Sequence, residues 1–124
     1  MKISGEIQYA FRRPKFPIIC VIGKELISAE SAARFQRDIE RFELRGDETL
    51  DIIDAAAKGW AFYVNLRIVS SLTLNRRWTK AAVIRLFNES QNARRTGVVY
   101  PESSLSTKTL RRIITEVAAL AAHS

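Results

Sequence analysis

Six basic side chains near two predicted helix starts are the residues of this sequence best suited to bind an anion. A cation at a helix N-terminus adds to the partial positive charge of the helix dipole, so folding alone disfavours it there. Free N–H groups of a first helical turn, together with Lys or Arg, form an arrangement that binds phosphate. We therefore predict anion or nucleic-acid contact through Arg76, Arg77, Lys80, Lys108, Arg111 and Arg112.

The two helices that these cations mark are predicted over residues 79–95 and 106–122. Thr79 and Ser106 are the expected N-caps, because a hydroxyl there accepts a free backbone N–H. The first three cations bracket the start of helix 79–95. The last three lie in the first two turns of helix 106–122, where they form an outward basic ridge opposite its apolar face.

Three aspartates form a second candidate surface, of opposite charge. Asp47, Asp51 and Asp54 are spaced i, i+4 and i+7, which would place them on one face of a short helix predicted over residues 48–58. We predict that they form an acidic docking face for a basic partner or for the basic half of a second copy. Three carboxylates could hold a hard cation, but no second segment offers complementary ligands, so we predict no metal site.

Residues suited to catalysis are sparse. The chain has no glycine-rich phosphate loop and no Ser/His/Asp pattern, and its single histidine, His123, is the penultimate residue. The single cysteine, Cys20, lies in an apolar run without neighbouring cations and is expected to be an inert buried thiol. We therefore predict that the protein is not an enzyme and uses no cofactor.

The elements that must position these residues follow from hydrophobic periodicity. Alternation or continuous apolar runs predict strands, and apolar residues repeating every three to four positions predict helices. Strands are predicted over 3–11, 17–22 and 60–74, and helices over 28–45, 48–58, 79–95 and 106–122. The second strand is expected to pair with the first, and Ser70-Ser71 to mark a bend in the third or its end. The order ββααβαα predicts an α+β fold, a small antiparallel sheet of about three strands covered by helices, in a single domain, residues 1–124.

Charge is distributed unevenly along the 124 residues. The net charge is +4 over residues 1–24, −4 over 25–58 and +7 over 59–124, which sums to +7. Surfaces of opposite charge indicate what kind of partner a protein binds, and they do not indicate its fold. The N-terminus lacks an apolar signal core, no apolar run approaches membrane-spanning length, and one cysteine forms no internal disulfide. We therefore predict a cytoplasmic protein without membrane contact.

Three classes of function remain open from the sequence. The first is a small basic module that contacts nucleic acid, mainly through phosphate. The second is a protein-interaction or self-associating module, a homo-oligomer or a binder of an acidic protein, with complementary acidic and basic faces. The third is an enzyme whose site has no known motif. Charge places the first slightly ahead of the second.

Overall fold

The computed structural model describes residues 6–71 and 77–122 of the chain. Within these residues it forms a six-stranded mixed sheet and five helices. The strands are β1 (Gln8–Tyr9), β2 (Ile18–Ile22), β3 (Glu25–Ala29), β4 (Thr49–Ile53), β5 (Gly59–Tyr63) and β6 (Ile68–Ser71). The helices are α1 (Ala32–Ile39), α2 (Lys80–Asn88), α3 (Gln91–Thr96), α4 (Ser104–Thr107) and α5 (Leu110–Ala122).

The strand directions place the β1–β2 and β4–β5 connections at the same end of the sheet. Its order is β1-β6-β5-β4-β2-β3, in which β1 and β6 are parallel and the other neighbours antiparallel. The carboxyl ends of β1, β4 and β6 therefore lie at the same end as the amino ends of β2 and β5. Residues 10–17, which join β1 to β2, consequently lie beside the β4–β5 turn, residues 54–58.

Helices pack against both faces of the sheet. Successive side chains of a strand point to opposite faces. In β2, Ile18 and Cys20 belong to a core with Phe35 of α1, whereas Ile19 belongs to a second core with Ile113 of α5. Cys20 is fully buried, which raises the pKa of its thiol well above the ordinary value. The predicted burial of Cys20 is thus confirmed, and its inertness stays a prediction.

The predicted architecture is wrong. The sheet has six strands of mixed direction rather than about three antiparallel ones, and the element order differs from ββααβαα. The strand predicted over 17–22 is present as β2, but it pairs with β3 and β4 rather than with the first strand. Residues 3–5 of the first predicted strand lie outside the described residues.

Two predicted helices are replaced in part or whole by strands. Residues 48–58 form β4 and the following turn, not a helix. Residues 25–29 form β3, so the helix predicted from Ser28 begins only at Ala32, with Ser31 as its N-cap. In residues 48–58, burial on both faces of the sheet produces apolar spacings that imitate a helix. In the other segment the apolar residues of the helical pattern belong to α1 and the loop after it, and only the predicted start at Ser28 is wrong.

The remaining predicted elements are divided by turns. The long strand over 60–74 is β5 and β6, joined by a turn at residues 64–67, and its last three residues lie outside the described part. Helix 79–95 is divided into α2 and α3, and Thr79 is confirmed as an N-cap because its side chain accepts the N–H of Ala82. Residues 106 and 107 of the predicted helix 106–122 belong to the single turn α4, and α5 starts at Leu110. Ser106 is therefore not the N-cap of the long helix, and Thr109 takes that position.

Candidate anion-binding site

The turn between β4 and β5 is organised by one buried carboxylate. Asp54 is 2% exposed. Its Oδ1 accepts the N–H groups of Ala56 and Lys58, both at 2.9 Å. Its Oδ2 accepts the indole N–H of Trp60 at 3.0 Å and the backbone N–H of Lys15 at 3.2 Å. Four N–H donors thus replace water around the carboxylate, and Asp54 fixes the turn to residues 10–17.

The N-terminus of α2 lies against this turn. The backbone N–H of Trp78 donates to the carbonyl oxygen of Ala57 at 2.8 Å, one residue before the N-cap Thr79. Arg77 forms a β-bridge with Lys58. The partial positive charge of this helix end is therefore added to the charges of Arg77 and Lys58.

The N-terminus of α5 reaches the same turn from another side. A cavity of about 140 Å³ is lined by residues 55–57 together with Leu110, Arg111 and Ile114. The side chain of Thr109 accepts the N–H of Arg112 at 3.2 Å, as an N-cap does. Two helix N-termini thus converge on the β4–β5 turn, and such ends attract anions.

Four cations belong to the segments that meet at this turn, and we call them the basic end: Lys15, Lys58, Arg77 and Arg111. Lys15, Arg77 and Arg111 are exposed, and Lys58 is half-buried with its Nζ 4.9 Å from the centre of the Trp60 ring. None of the four forms an ion pair with another described residue. Asp54, the one acidic residue in segments 10–17, 54–58 and 77–79, is buried, so the exposed charge here is positive.

The structure does not bring the six predicted contact residues together. Arg77 and Arg111 lie at the basic end, and Arg76 falls outside the described residues. Lys80 donates from Nζ to the carbonyl oxygens of Leu105 and Lys108, at 2.7 and 3.3 Å. Its ammonium therefore satisfies carbonyls around α4.

The other two cations of the predicted ridge serve an internal cluster. Glu116 accepts from Nζ of Lys108 at 2.8 Å, from Nε of Arg112 at 3.0 Å and from the hydroxyl of Tyr100 at 2.9 Å. Hydrogen bonding from Lys108 is the largest cause that lowers the pKa of Glu116. Burial, followed by the bond to Glu116, raises the pKa of Tyr100. Two cations are thereby occupied by a carboxylate.

The three predicted acidic residues are not brought onto one face. Asp47 is exposed and its Oδ1 lies 3.3 Å from Nε of Arg45. Asp51 is exposed on β4, while Asp54 is buried in the turn described above. The helix on which the acidic face depended is absent from this segment, and the docking role remains a prediction.

Lys15 and Lys58 are the basic-end residues that the sequence does not single out. Lys58 matches the basic last turn of a predicted helix, and Lys15 belongs to a predicted turn. The available signal is the density of cations in Arg12-Arg13-Pro14-Lys15, without an acidic residue from 7 to 24. Lys15 and Lys58 lie near Arg77 and Arg111 because of the order of the strands in the sheet. Local sequence periodicity does not predict that order.

Metal-binding clusters and membrane-spanning helices are both absent from the residues that the structure describes. No group of three or more His, Cys, Asp or Glu side chains there is placed to hold a metal ion. No described helix has the length and apolar character needed to cross a membrane. Compared with known protein families, with curated proteins and with solved structures, the chain matches none.

Proposed function

We propose that this protein is a small basic module that contacts nucleic acid, mainly through phosphate groups, at the basic end. The observation that carries the proposal is the convergence of two helix N-termini with Lys15, Lys58, Arg77 and Arg111. Each of these cations lacks an ion pair among the described residues, so its charge is available to a ligand. Such contacts position a nucleic acid without reading its sequence.

A salt titration of binding tests the proposal. Binding of fluorescein-labelled random-sequence duplex and single strands is followed by fluorescence anisotropy from roughly 50 to 200 mM salt. The logarithm of the binding constant should fall linearly with the logarithm of salt concentration, since each neutralised phosphate releases counterions. The triple variant Lys58→Ala, Arg77→Ala, Arg111→Ala should lower the slope on duplex by about 2 to 3 units, or ~0.9 per contact.

A charge-matched variant separates a local site from general attraction. Arg37→Ala, Arg67→Ala, Arg94→Ala also removes three exposed cations, all outside the basic end. It should retain most of the affinity and slope. Equal losses in both triple variants would mean that net charge, not the basic end, drives binding. Absence of binding to any strand at roughly 50 mM salt would reject the nucleic-acid function.

Self-association or binding of an acidic protein is the alternative, and the same preparation tests it. It predicts salt-sensitive oligomerisation in analytical ultracentrifugation without affinity for nucleic acid. We further propose the cytoplasm as the location, because a chain with a single cysteine forms no internal disulfide and suits a reducing compartment. We propose binding without catalysis, because the basic end consists of cations, helix ends and a carboxylate already occupied by four donors.

A further inference from the structure

Phe11 exposes its entire side chain to solvent at the end of the sheet where the basic end lies. Its relative exposure is 104%, whereas Phe35, Phe62 and Phe87 are fully buried. Its backbone φ is +64°, in the left-handed region that residues other than glycine rarely adopt. A large apolar side chain in a strained backbone conformation is not explained by packing, so a ligand contact is the simplest role for it.

The segment that carries Phe11 is anchored on both sides of the ring. Before it, the N–H of Ala10 donates to the carbonyl oxygen of Val69 at 2.9 Å. After it, Pro14 is buried, and the carbonyl oxygen of Lys15 accepts the N–H of Ala55 at 2.9 Å. The backbone on either side of Phe11 is therefore held in place, and less backbone entropy is lost when a ligand covers the ring.

Cations follow the ring directly. Arg12, Arg13 and Lys15 lie within four residues of Phe11, and all three are exposed. The guanidinium carbon of Arg13 lies 5.2 Å from the centre of the Tyr9 ring, which holds this charge beside the segment. The bond from Lys15 to Asp54 joins the segment to the basic end.

We infer that Phe11 is a stacking platform for an unpaired base and that the protein prefers single-stranded nucleic acid. The inference rests on the proposed function, because the basic end would supply the phosphate contacts beside the stacked base. Aromatic side chains in a basic groove stack on the bases of single strands, whereas the bases of a duplex are already stacked on each other. A surface of anionic lipid is the competing ligand for an exposed ring among cations.

The test compares oligothymidylate with a duplex of equal length, by anisotropy, for the wild type, Phe11→Ala and Phe11→Trp. Phe11→Ala should weaken oligothymidylate binding on the order of tenfold, the effect of one lost stacking contact. Its salt slope should stay unchanged because no charge is removed. Phe11→Trp should retain the affinity. Leu66→Ala is the matched control, since Leu66 is 60% exposed in the turn at the other end of the sheet.

The outcomes separate this inference from the proposed function. If Phe11→Ala binds oligothymidylate like the wild type while the basic-end triple variant does not, the inference is wrong and the proposed function stands. If the wild type binds no strand, both are wrong. Binding of the wild type and Phe11→Ala to vesicles of phosphatidylcholine with phosphatidylserine tests the competing lipid ligand. Loss of vesicle binding in Phe11→Ala, with oligothymidylate binding intact, would assign the ring to lipid.

Discussion

Glu116 shows how strongly one carboxylate can determine which cations remain available. It collects the ammonium of Lys108, the guanidinium of Arg112 and the hydroxyl of Tyr100. The Nζ of Lys108 also lies 5.2 Å from the centre of the Tyr100 ring. Both cations were predicted as contact residues from their positions near a helix start. Their pairing with a residue four and eight positions later explains them without a ligand.

The lowered pKa of Glu116 predicts a contribution to stability that depends on pH. A carboxyl whose pKa is lower in the folded state stabilises the fold above its unfolded value, near 4.5, and this contribution is lost as pH falls through the folded pKa. Urea unfolding of the wild type and Glu116→Gln at about pH 6 and about pH 3 measures it. The difference between the two proteins should be larger at the higher pH. An equal difference at both would show that ionisation of Glu116 is irrelevant to folding.

At the scale of elements, a side-chain amide closes part of the outer edge of the sheet. Asn92 of α3 is fully buried and accepts the N–H of Leu26 on Oδ1 while donating from Nδ2 to the carbonyl oxygen of Leu26, both at 2.8 Å. An adjacent strand would make the same pair of bonds to β3. Arg95 of α3 also pairs with Glu25 of the same strand. Helix α3 is thereby fixed against the edge strand.

Replacing the amide should therefore cost much of the stability of the fold. Asn92→Ala leaves a buried N–H and a buried carbonyl unpaired, so its free energy of unfolding should fall by about 3 kcal/mol. Asn92→Asp retains the acceptor but sets a carboxylate against the Leu26 carbonyl. Its deficit relative to the wild type should shrink at acid pH, where the protonated acid can donate. Gln91→Ala, next to it but exposed, should change stability by less than about 0.5 kcal/mol in the same urea titrations.

The sequence predicts individual elements better than their arrangement. β2 and the N-cap Thr79 are recognisable because a continuous apolar run and a capping hydroxyl are local signals. β4 is missed because both faces of the sheet are covered. Leu50 and Ile52 face one core and Ile53 the other, a pattern that lacks clean alternation. The three alanines of the following turn, 55–57, then favour a helix in any propensity scale.

The β5–β6 turn is hidden from sequence analysis for a different reason. Its four residues preserve the alternation of the flanking strands, so the apolar pattern runs through it unbroken. Val64 is fully buried while Leu66 is 60% exposed, although both fit the same face of a single long strand.

Two of the four basic-end residues are predicted from the sequence, and the other two are not. Arg77 and Arg111 carry local signals, whereas Lys15 and Lys58 join them only through the strand order.

For the whole molecule, Asp54 couples folding to the surface proposed to bind. It is a single carboxylate that ties the β1–β2 connection, the β4–β5 turn and the Trp60 side chain of β5 together. The same turn accepts the N–H of Trp78 ahead of α2 and lines a cavity with Arg111 of α5. Asp54 therefore holds Lys15 and Lys58 directly, and holds the turn on which Arg77 and Arg111 border.

Asp54→Ala should therefore lower both stability and nucleic-acid affinity. It leaves four N–H donors without their acceptor, so the free energy of unfolding should fall by about 3 kcal/mol or more. In conditions where the variant is still folded, its affinity should fall even though its net positive charge rises by one. Asp51→Ala makes the same change of charge at an exposed position of β4 and should raise affinity slightly. Urea unfolding and anisotropy on both variants distinguish them, and higher affinity in Asp54→Ala would mean that charge alone, without the arrangement around the turn, determines binding.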